Sequence, residues 1–227
     1  MKNPGILLFS ILQLAGSVVI GQKWQRTPEY LTFVGKVYNK AVIYYTNGET
    51  KSGYAAIPKT WDQKEISFKT EKDAKVTEIP SQVLRRITVI NKDSSSYSFE
   101  RVNFVLKPDD PPKHTGWLFM LVEGYANLYF KIDKYKVDPW GQLHLILDNG
   151  LPMKFVQKKG EHKAVFVSIS SLPGLNITIN SEKQFKKYAP VAFAEDEDLV
   201  NKIKNKNYTS KDIEEVVQIY NEYMQGR

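Results

Sequence analysis

Between Trp117 and Val167 the chain alternates short apolar runs with short polar breaks. The breaks are rich in Gly, Asp, Asn and Pro, which are the residues that form tight turns. Apolar runs of strand length separated by such turns predict an antiparallel meander. The runs cover residues 117–122, 128–137, 143–147, 153–156 and 164–167. We therefore expect the rest of the fold to be organised around this meander.

The first half of the chain shows the same strand-and-turn pattern. Segments 31–38 and 41–45 predict strands, and segment 51–57 predicts the return strand of a hairpin. Asn47-Gly48 between them favours a type I′ turn, in which both central residues have positive φ. Gly53 lies inside the return strand, where glycine typically marks a bulge or a close backbone approach.

Residues 107–116 form the clearest internal boundary, because three prolines in this stretch cannot lie inside a strand ladder. The stretch either separates two small β units or crosses the surface of one rolled sheet. We favour the second alternative, since each half alone would have a thin core. The predicted fold is mainly β (α+β), with residues 22–180 forming a rolled sheet or partly open barrel.

The hydrophobic period changes after a last predicted strand at 175–179. Residues 181–188 predict a short helix with Ser181 as its N-cap and Pro190 as its end. Residues 195–205 predict a second helix, and Thr209 is the predicted N-cap of a third, with Asp212 in a capping-box position. The stripe of the third helix should pack on the sheet, so 181–227 is a predicted helical tail. That stripe consists of Ile213, Val216, Val217, Tyr220 and Met224.

The N-terminal 21 residues have the pattern of a signal peptide. Lys2 supplies the positive start, and an uncharged apolar run follows at residues 6–20. That run is about 15 residues long, which is shorter than the roughly 20 residues needed to span a bilayer. We therefore expect cleavage before Gln22, export to the periplasm or the extracellular space, and no stable membrane span afterwards.

The composition narrows the classes of function further. The chain has no cysteine, so disulfides, thiolate metal sites and a lipid anchor on cysteine are excluded. Its formal net charge of +7 comes from dispersed lysines rather than from one cluster. The lysines form either an ordinary solvated surface or a contact with an anionic envelope polymer or lipid headgroups. Export makes nucleic acid an unlikely partner.

Several short patterns are spread over most of the chain. They are Thr46-Asn47-Gly48-Glu49-Thr50, Ile66-Ser67-Phe68-Lys69, Ile79-Pro80-x-x-Val83, Gly124-x-x-x-Leu128-Tyr129, Phe185-x-x-Tyr188, Asp198-Leu199-x-x-Lys202-Ile203 and Tyr208-x-x-x-Asp212-Ile213-x-x-Val216-Val217-x-x-Tyr220-Asn221. With the signal peptide, they resemble a broad group of secreted, uncharacterised bacterial envelope proteins. The resemblance implies export and a β-rich body followed by a helical tail. It carries no assigned reaction and no catalytic residues.

Residues typical of catalysis or metal binding do not form a recognisable motif. The three histidines lack the spacing of a metal site, and no Gly-x-Ser-x-Gly elbow occurs. Asp133, Asp138 and Asp148 are candidates for a dispersed carboxylate site, but we favour their interpretation as ordinary surface acids at turns and polar positions. We predict no catalytic residues, no cofactor and no metal.

Aromatic residues are the one excess, with 13 Tyr, 11 Phe and 4 Trp. Four of them cluster near the turns of the meander and are the candidate ligand contacts: Tyr125, Tyr129, Tyr135 and Trp140. Exposed rings beside polar residues can stack on sugars or anchor a partner. Alternatively, these rings fill a β core, since aromatic residues favour strands.

Three functions remain open from the sequence. The first is an exported, non-catalytic envelope protein that binds a partner protein or a ligand. The second is a carbohydrate- or lipid-binding module that uses exposed aromatic rings. The third is a hydrolase with a dispersed carboxylate site. The oligomeric state does not follow from the sequence.

Overall fold

The computed structural model describes residues 30–33, 36–138, 143–146, 151–170 and 178–227. Strands dominate the described part and three helices follow them, as the sequence predicts. The elements are β1 (Tyr30–Phe33), β2 (Lys36–Tyr45), β3 (Thr50–Ala55), β4 (Glu65–Lys69), β5 (Thr77–Pro80), β6 (Leu84–Ile90), β7 (Ser96–Val105), β8 (His114–Val122), β9 (Ala126–Lys131), β10 (Lys134–Val137), β11 (Leu143–Ile146), β12 (Met153–Lys158), β13 (Ala164–Ile169), α1 (Thr178–Ala192), α2 (Glu197–Lys204) and α3 (Ile213–Gln225). The mainly β fold class with C-terminal helices is therefore confirmed.

Strand β7 belongs to two parts of one large sheet. Its first half pairs with β6, from Ser96 to Glu100, while β8 pairs along its other edge. At its end, Phe104 and Val105 pair with β13 in parallel. As a result, β7, β8, β9, β12 and β13 form a partly closed ring, and β6, β2, β3, β4 and β5 continue from it as an open arm.

The chain does not run through this sheet as a simple meander. Strand β9 pairs with β12, and the β10–β11 hairpin between them forms a separate two-stranded sheet. The parallel contact between β13 and β7 also makes the large sheet mixed rather than purely antiparallel. The predicted run 128–137 is thus divided into β9 and β10, which belong to different sheets. The pairing of the other meander strands is determined by this hairpin and by the closure of the ring.

Both faces of the ring strands are covered, and alternation along each strand divides the apolar residues between them. In β9, Tyr129 lies in the cluster inside the ring, with Leu118, Phe155 and Phe166. The next residue, Phe130, lies in the cluster between the ring and the arm. Leu128 belongs to a third cluster, beneath the helices. These three clusters form the core of the described structure.

The helical tail packs on the outer face of β9, β12 and β13, as its apolar stripe predicts. Ile213, Val216, Val217 and Tyr220 of α3 are fully buried in the cluster beneath the helices. Asn221 joins α3 to β9, because its side chain accepts a hydrogen bond from the Ala126 N–H (2.6 Å) and donates one to the Ala126 carbonyl (3.0 Å). Helix and sheet are thus joined by hydrogen bonds as well as by apolar contact.

The first helix differs from its prediction at both ends. Residues 178 and 179 are helical rather than extended, and the rest of the predicted strand lies outside the described residues. Ser181 is not an N-cap: it lies buried inside α1 and donates to the Ile169 carbonyl. Pro190 does not end the helix, which continues to Ala192.

The other two helix starts are closer to their predictions. In α2, Asp196 is the N-cap and accepts a hydrogen bond from the Leu199 N–H at 3.0 Å. Before α3, the Asp212 carboxylate accepts from the Thr209 N–H (2.8 Å), which is the backward half of a capping box. The helix itself begins at Ile213, so its N-cap is Asp212 and not the predicted Thr209.

The β2–β3 hairpin has a different turn from the predicted type I′. Gly48 has φ +89°, but Asn47 does not have a positive φ. The Gly48 N–H donates to the Tyr45 carbonyl (3.2 Å) and the Tyr45 N–H donates to the Glu49 carbonyl (2.8 Å). This pattern is a type I turn followed by a glycine in the left-handed region, which forms a G1 bulge.

The proline-rich stretch connects two neighbouring strands, since β7 ends at Val105 and β8 begins at His114. Lys163 Nζ donates to the carbonyls of Pro108 (2.6 Å) and Asp110 (2.8 Å), which holds this loop against β13.

Within the described ranges, none of the helices is both long enough and apolar enough to cross a bilayer.

We predict that Gly53→Ala destabilises the fold. An added Cβ would lie 2.6 Å from Phe68 Cζ and would also collide with the Lys69 carbonyl, so backbone must move. Overpacking of this kind costs about 1–3 kcal/mol. Urea unfolding should show a lower midpoint for Gly53→Ala and less than about 0.5 kcal/mol of change for the exposed neighbour Ser52→Ala. Equal midpoints for the two variants would contradict the close approach.

Candidate functional site

An open cleft of about 830 Å³ lies between the arm and the β10–β11 hairpin. We call it the arm cleft. Its walls come from the start of β2, the end of β3, the loop 58–64, the β4–β5 hairpin and β10. Volumes of 300–1,000 Å³ are typical of sites that bind small molecules.

Four exposed lysines surround the arm cleft: Lys36, Lys59, Lys64 and Lys136. Lys36 Nζ lies 4.0 Å from Glu78 Oε1, at the outer limit for an ion pair. For the other three lysines, no acidic side chain of the described residues lies within ion-pair distance. The rim of the cleft is therefore positively charged and largely uncompensated.

The β4–β5 hairpin supplies the polar wall of the arm cleft. Ser67 and Glu78 are directly opposite each other in this hairpin, so their side chains share a face. The buried Ser67 hydroxyl contacts both Glu78 carboxylate oxygens, at 2.7 and 2.8 Å. Glu65 lies on the same face, two residues before Ser67, and also lines the cleft.

Apolar side chains lie between these charged groups. Val37, Ile57 and Val137 line the arm cleft together with Ala56. Tyr135 also lines it, with only 2% of its surface exposed. The cleft thus combines an apolar floor with a cationic rim.

The loop that carries Lys59 is held in place by backbone hydrogen bonds. The Lys59 carbonyl accepts from the Tyr135 N–H (2.7 Å), and the Lys59 N–H donates to Gln63 Oε1 (2.7 Å). The Trp61 carbonyl accepts from the Trp117 N–H at 2.6 Å. These contacts tie the loop to β8 and β10, so the position of Lys59 is set by the sheet.

Two of the four predicted ligand contacts are core residues. Tyr129 is 0% exposed and lies inside the ring, and Tyr135 is 2% exposed between the ring and the arm. Both are buried because both faces of β9 and the inner face of β10 are covered. Neither ring offers an exposed face on which a sugar could stack.

Tyr125 lies apart from these two core residues. It is half-buried and packs edge-on against Tyr220 of α3, with ring centroids 6.2 Å apart. Trp140 lies outside the described residues. Of the three described rings, only Tyr135 lines the arm cleft.

A polar network closes one end of the ring. Tyr129 donates to Glu100 Oε2 (2.8 Å), which also accepts from Arg86 (3.3 Å). Arg86 reaches Glu123 as well, at 2.6 Å. Burial opposes the charge on Arg86, but Glu100 and Glu123 more than offset it and raise the pKa of its guanidinium. The Arg86 Nε is buried without a partner among the described residues, but both of its carboxylate contacts lie within the protein, so we interpret the network as structural.

The candidate catalytic residues are dispersed. His144 Nε2 lies 3.1 Å from Asp138 Oδ2 in the β10–β11 hairpin, whereas His114 stacks on Phe104 at 5.6 Å. Asp148 lies outside the described residues. Across the described ranges, no group of three His, Asp or Glu side chains is arranged to hold a metal ion.

A second, smaller groove of about 460 Å³ lies between the proline-rich loop and the end of α1. It also contains lysines, but their charges are satisfied. Lys158 pairs with Glu195 (2.7 Å) and Glu161 (3.6 Å), and Lys163 holds the loop carbonyls. The contrast between the two concavities identifies the arm cleft as the better candidate site.

We predict that the free energy of unfolding falls above pH 10. Burial, as the main cause, raises the pKa of four tyrosines above the ordinary value of 10.0: Tyr97, Tyr129, Tyr135 and Tyr220. Their contribution is fully present below pH 10. As the pH rises further, the unfolded chain loses protons that the folded chain keeps, which costs about 1.4 kcal/mol per pH unit for each tyrosine.

Urea unfolding between pH 8 and 11.5 measures this slope. The Tyr135→Phe variant should lose about one quarter of it, because one of the four buried phenols is absent. We also expect the variant to have a lower free energy of unfolding at pH 8, because it lacks the hydrogen bond from the Tyr135 hydroxyl to the Trp117 carbonyl (3.2 Å). The loss of this hydrogen bond lowers the stability equally at all pH values of the experiment and does not change the slope. Identical slopes for the two proteins above pH 10 would contradict the prediction.

Comparisons with models of protein families, with curated proteins and with solved structures gave no match to this chain. We therefore infer the function of the protein from the geometry and charge of the arm cleft.

Proposed function

We propose that the protein is an exported, non-catalytic envelope protein that binds a ligand or partner through the arm cleft. The observation that carries this proposal is the uncompensated lysine rim around an open concavity of about 830 Å³. Export itself rests on the signal-peptide pattern of residues 1–21.

The arrangement of charge supports a binding role. Like charges around one concavity raise the electrostatic potential inside it, which favours an anionic ligand and attracts it during encounter. In the smaller groove beside the proline-rich loop, by contrast, the charge of Lys158 is neutralised by Glu161 and Glu195. No acidic side chain of the described residues pairs with Lys59, Lys64 or Lys136. These three lysines are therefore available to a ligand.

The residues around the cleft are suited to binding rather than to bond-making chemistry. Among the described residues that line it there is no histidine, and the Ser67 hydroxyl is committed to Glu78. Nucleophilic catalysis by serine generally needs a base that is itself oriented by a third group. Lysines and aliphatic side chains instead provide charge and apolar contact.

The carbohydrate and hydrolase alternatives are less well supported. The first depended on exposed rings, and Tyr129 and Tyr135 are buried. The second depended on converging carboxylates, yet Asp138 faces His144 and neither Asp133 nor Asp138 lines the arm cleft. We therefore base the proposal on the lysines.

We predict that charge in the apolar run at residues 6–20 blocks export. The full chain should leave the cytoplasm of a bacterial host, and mass spectrometry should find the mature protein beginning at Gln22. A variant with Leu8→Arg and Leu12→Arg should accumulate uncleaved, because an apolar core is what the export machinery recognises. The matched Leu8→Ile, Leu12→Ile variant should be exported normally. Retention of residues 1–21 by the exported unaltered protein would overturn the signal-peptide interpretation.

We also predict that photocrosslinking in the envelope is specific to the arm cleft. The chain has no cysteine, so Lys64→Cys provides a single site for a benzophenone maleimide at the rim. The matched control is Lys92→Cys, in the exposed turn between β6 and β7. Illumination of intact envelopes should give a reproducible adduct from position 64 and none from position 92. The same adducts at both positions, or none at either, would contradict binding in the cleft.

A further inference from the structure

We infer that the arm cleft takes a single-chain amphiphile with a phosphomonoester headgroup. This inference rests on the proposed function and adds the chemical class of the ligand. Its support comes from three features of the cleft: the number of charges on its rim, the apolar floor between them, and the way in which its acidic groups are held.

The charges of the lining residues favour a doubly charged headgroup. Among the described residues that line the cleft, four lysines face two glutamates, Glu65 and Glu78, which gives an excess of two positive charges. A phosphomonoester has about −1.5 to −2 charges at pH 7 and three acceptor oxygens. A carboxylate has one charge and two oxygens, so it would leave a lysine uncompensated.

The acidic groups do not cancel this excess where a headgroup would bind. Glu78 is turned toward the Ser67 hydroxyl at 2.7 Å and toward Lys36 at 4.0 Å, on the β4–β5 side of the cleft. Lys59 and Lys136 are on adjacent backbone segments, since the Lys59 carbonyl accepts from the Tyr135 N–H. A phosphate between Lys59, Lys64 and Lys136 would therefore meet cations without displacing the Glu78 contacts.

The floor of the cleft favours an alkyl chain over a sugar. Val37, Ala56 and Val137 are partly exposed in the cleft, and Ile57 is buried beneath them. These side chains have no polar atoms for hydroxyl groups, whereas an alkyl chain removes their surface from water at roughly 25 cal/mol per Å². No exposed aromatic ring lines the described part of the cleft, so carbohydrate stacking has no platform there.

Dodecyl phosphate below its micelle concentration is the probe for this inference. We expect isothermal titration of the full chain at low salt to show one site, with at least tenfold tighter binding than for three partial mimics. Inorganic phosphate has the headgroup alone, dodecanoate has a single charge, and a neutral dodecyl glycoside has the chain alone. Binding of dodecyl phosphate should weaken as salt is added, because the lysines are exposed.

Charge-reversal variants locate the site. Lys59→Glu with Lys136→Glu should weaken the binding of dodecyl phosphate by at least tenfold. The matched control, Lys92→Glu with Lys183→Glu, alters two exposed lysines outside the cleft, changes the net charge equally, and should bind normally. Circular dichroism of both variants checks that each is folded, and Lys59→Gln with Lys136→Gln repeats the test with a smaller change in charge.

Each contrary result has a defined meaning. If inorganic phosphate binds as tightly as dodecyl phosphate, the site is one for free phosphate. If the neutral glycoside binds as tightly, binding is apolar alone. Either result overturns the inference, and so does an equal loss of dodecyl phosphate affinity in the cleft variant and in the control variant. If dodecyl phosphate does not bind while the position-64 adduct forms, the ligand class is wrong and the proposed function stands. If both fail, both proposals fall.

Discussion

The structure depends on the double pairing of strand β7. Its first half is hydrogen-bonded to β6 and its end to β13, while β8 pairs with its other edge from Phe99 to Phe104. A single strand therefore directs one sheet into a partly closed ring and an open arm. Backbone hydrogen bonds are obligatory for buried strands, so this pairing constrains where every later element can lie. The cleft between the arm and the β10–β11 hairpin is a consequence of that division.

The double pairing also explains the distribution of the core. Because the ring has an inside and an outside, its strands bury both faces, and the helices cover the outer face that the arm leaves open. Cysteine is absent, so apolar burial and specific polar contacts hold these layers together. Two such polar contacts are the Asn221 hydrogen bonds to Ala126, which join residues far apart in the sequence, and the Arg86 contact with Glu100 between the paired strands β6 and β7.

Local pattern predicted the strands, the hairpins and the apolar stripe of α3, because each depends on neighbours within a few residues. The start of α1 was not predictable in this way. Ser181 resembles an N-cap, but its hydroxyl binds the Ile169 carbonyl and Ser210 (2.7 Å), which are tertiary partners. Tyr129 was misjudged for a related reason: alternation assigns a residue to a face but does not tell whether that face is exposed. The arm cleft escaped detection because Lys36, Lys59, Lys64 and Lys136 lie on four separate segments, and nothing in their spacing indicates that these segments meet.

The end of the arm has a consequence for the behaviour of the protein at high concentration. Strand β5 is the last strand of the described arm, has only four residues and ends in Pro80, which has no N–H to donate. Short edge strands that contain proline are poor templates for adding another chain. This short, proline-terminated edge therefore restricts sheet-to-sheet self-association without requiring a covering element.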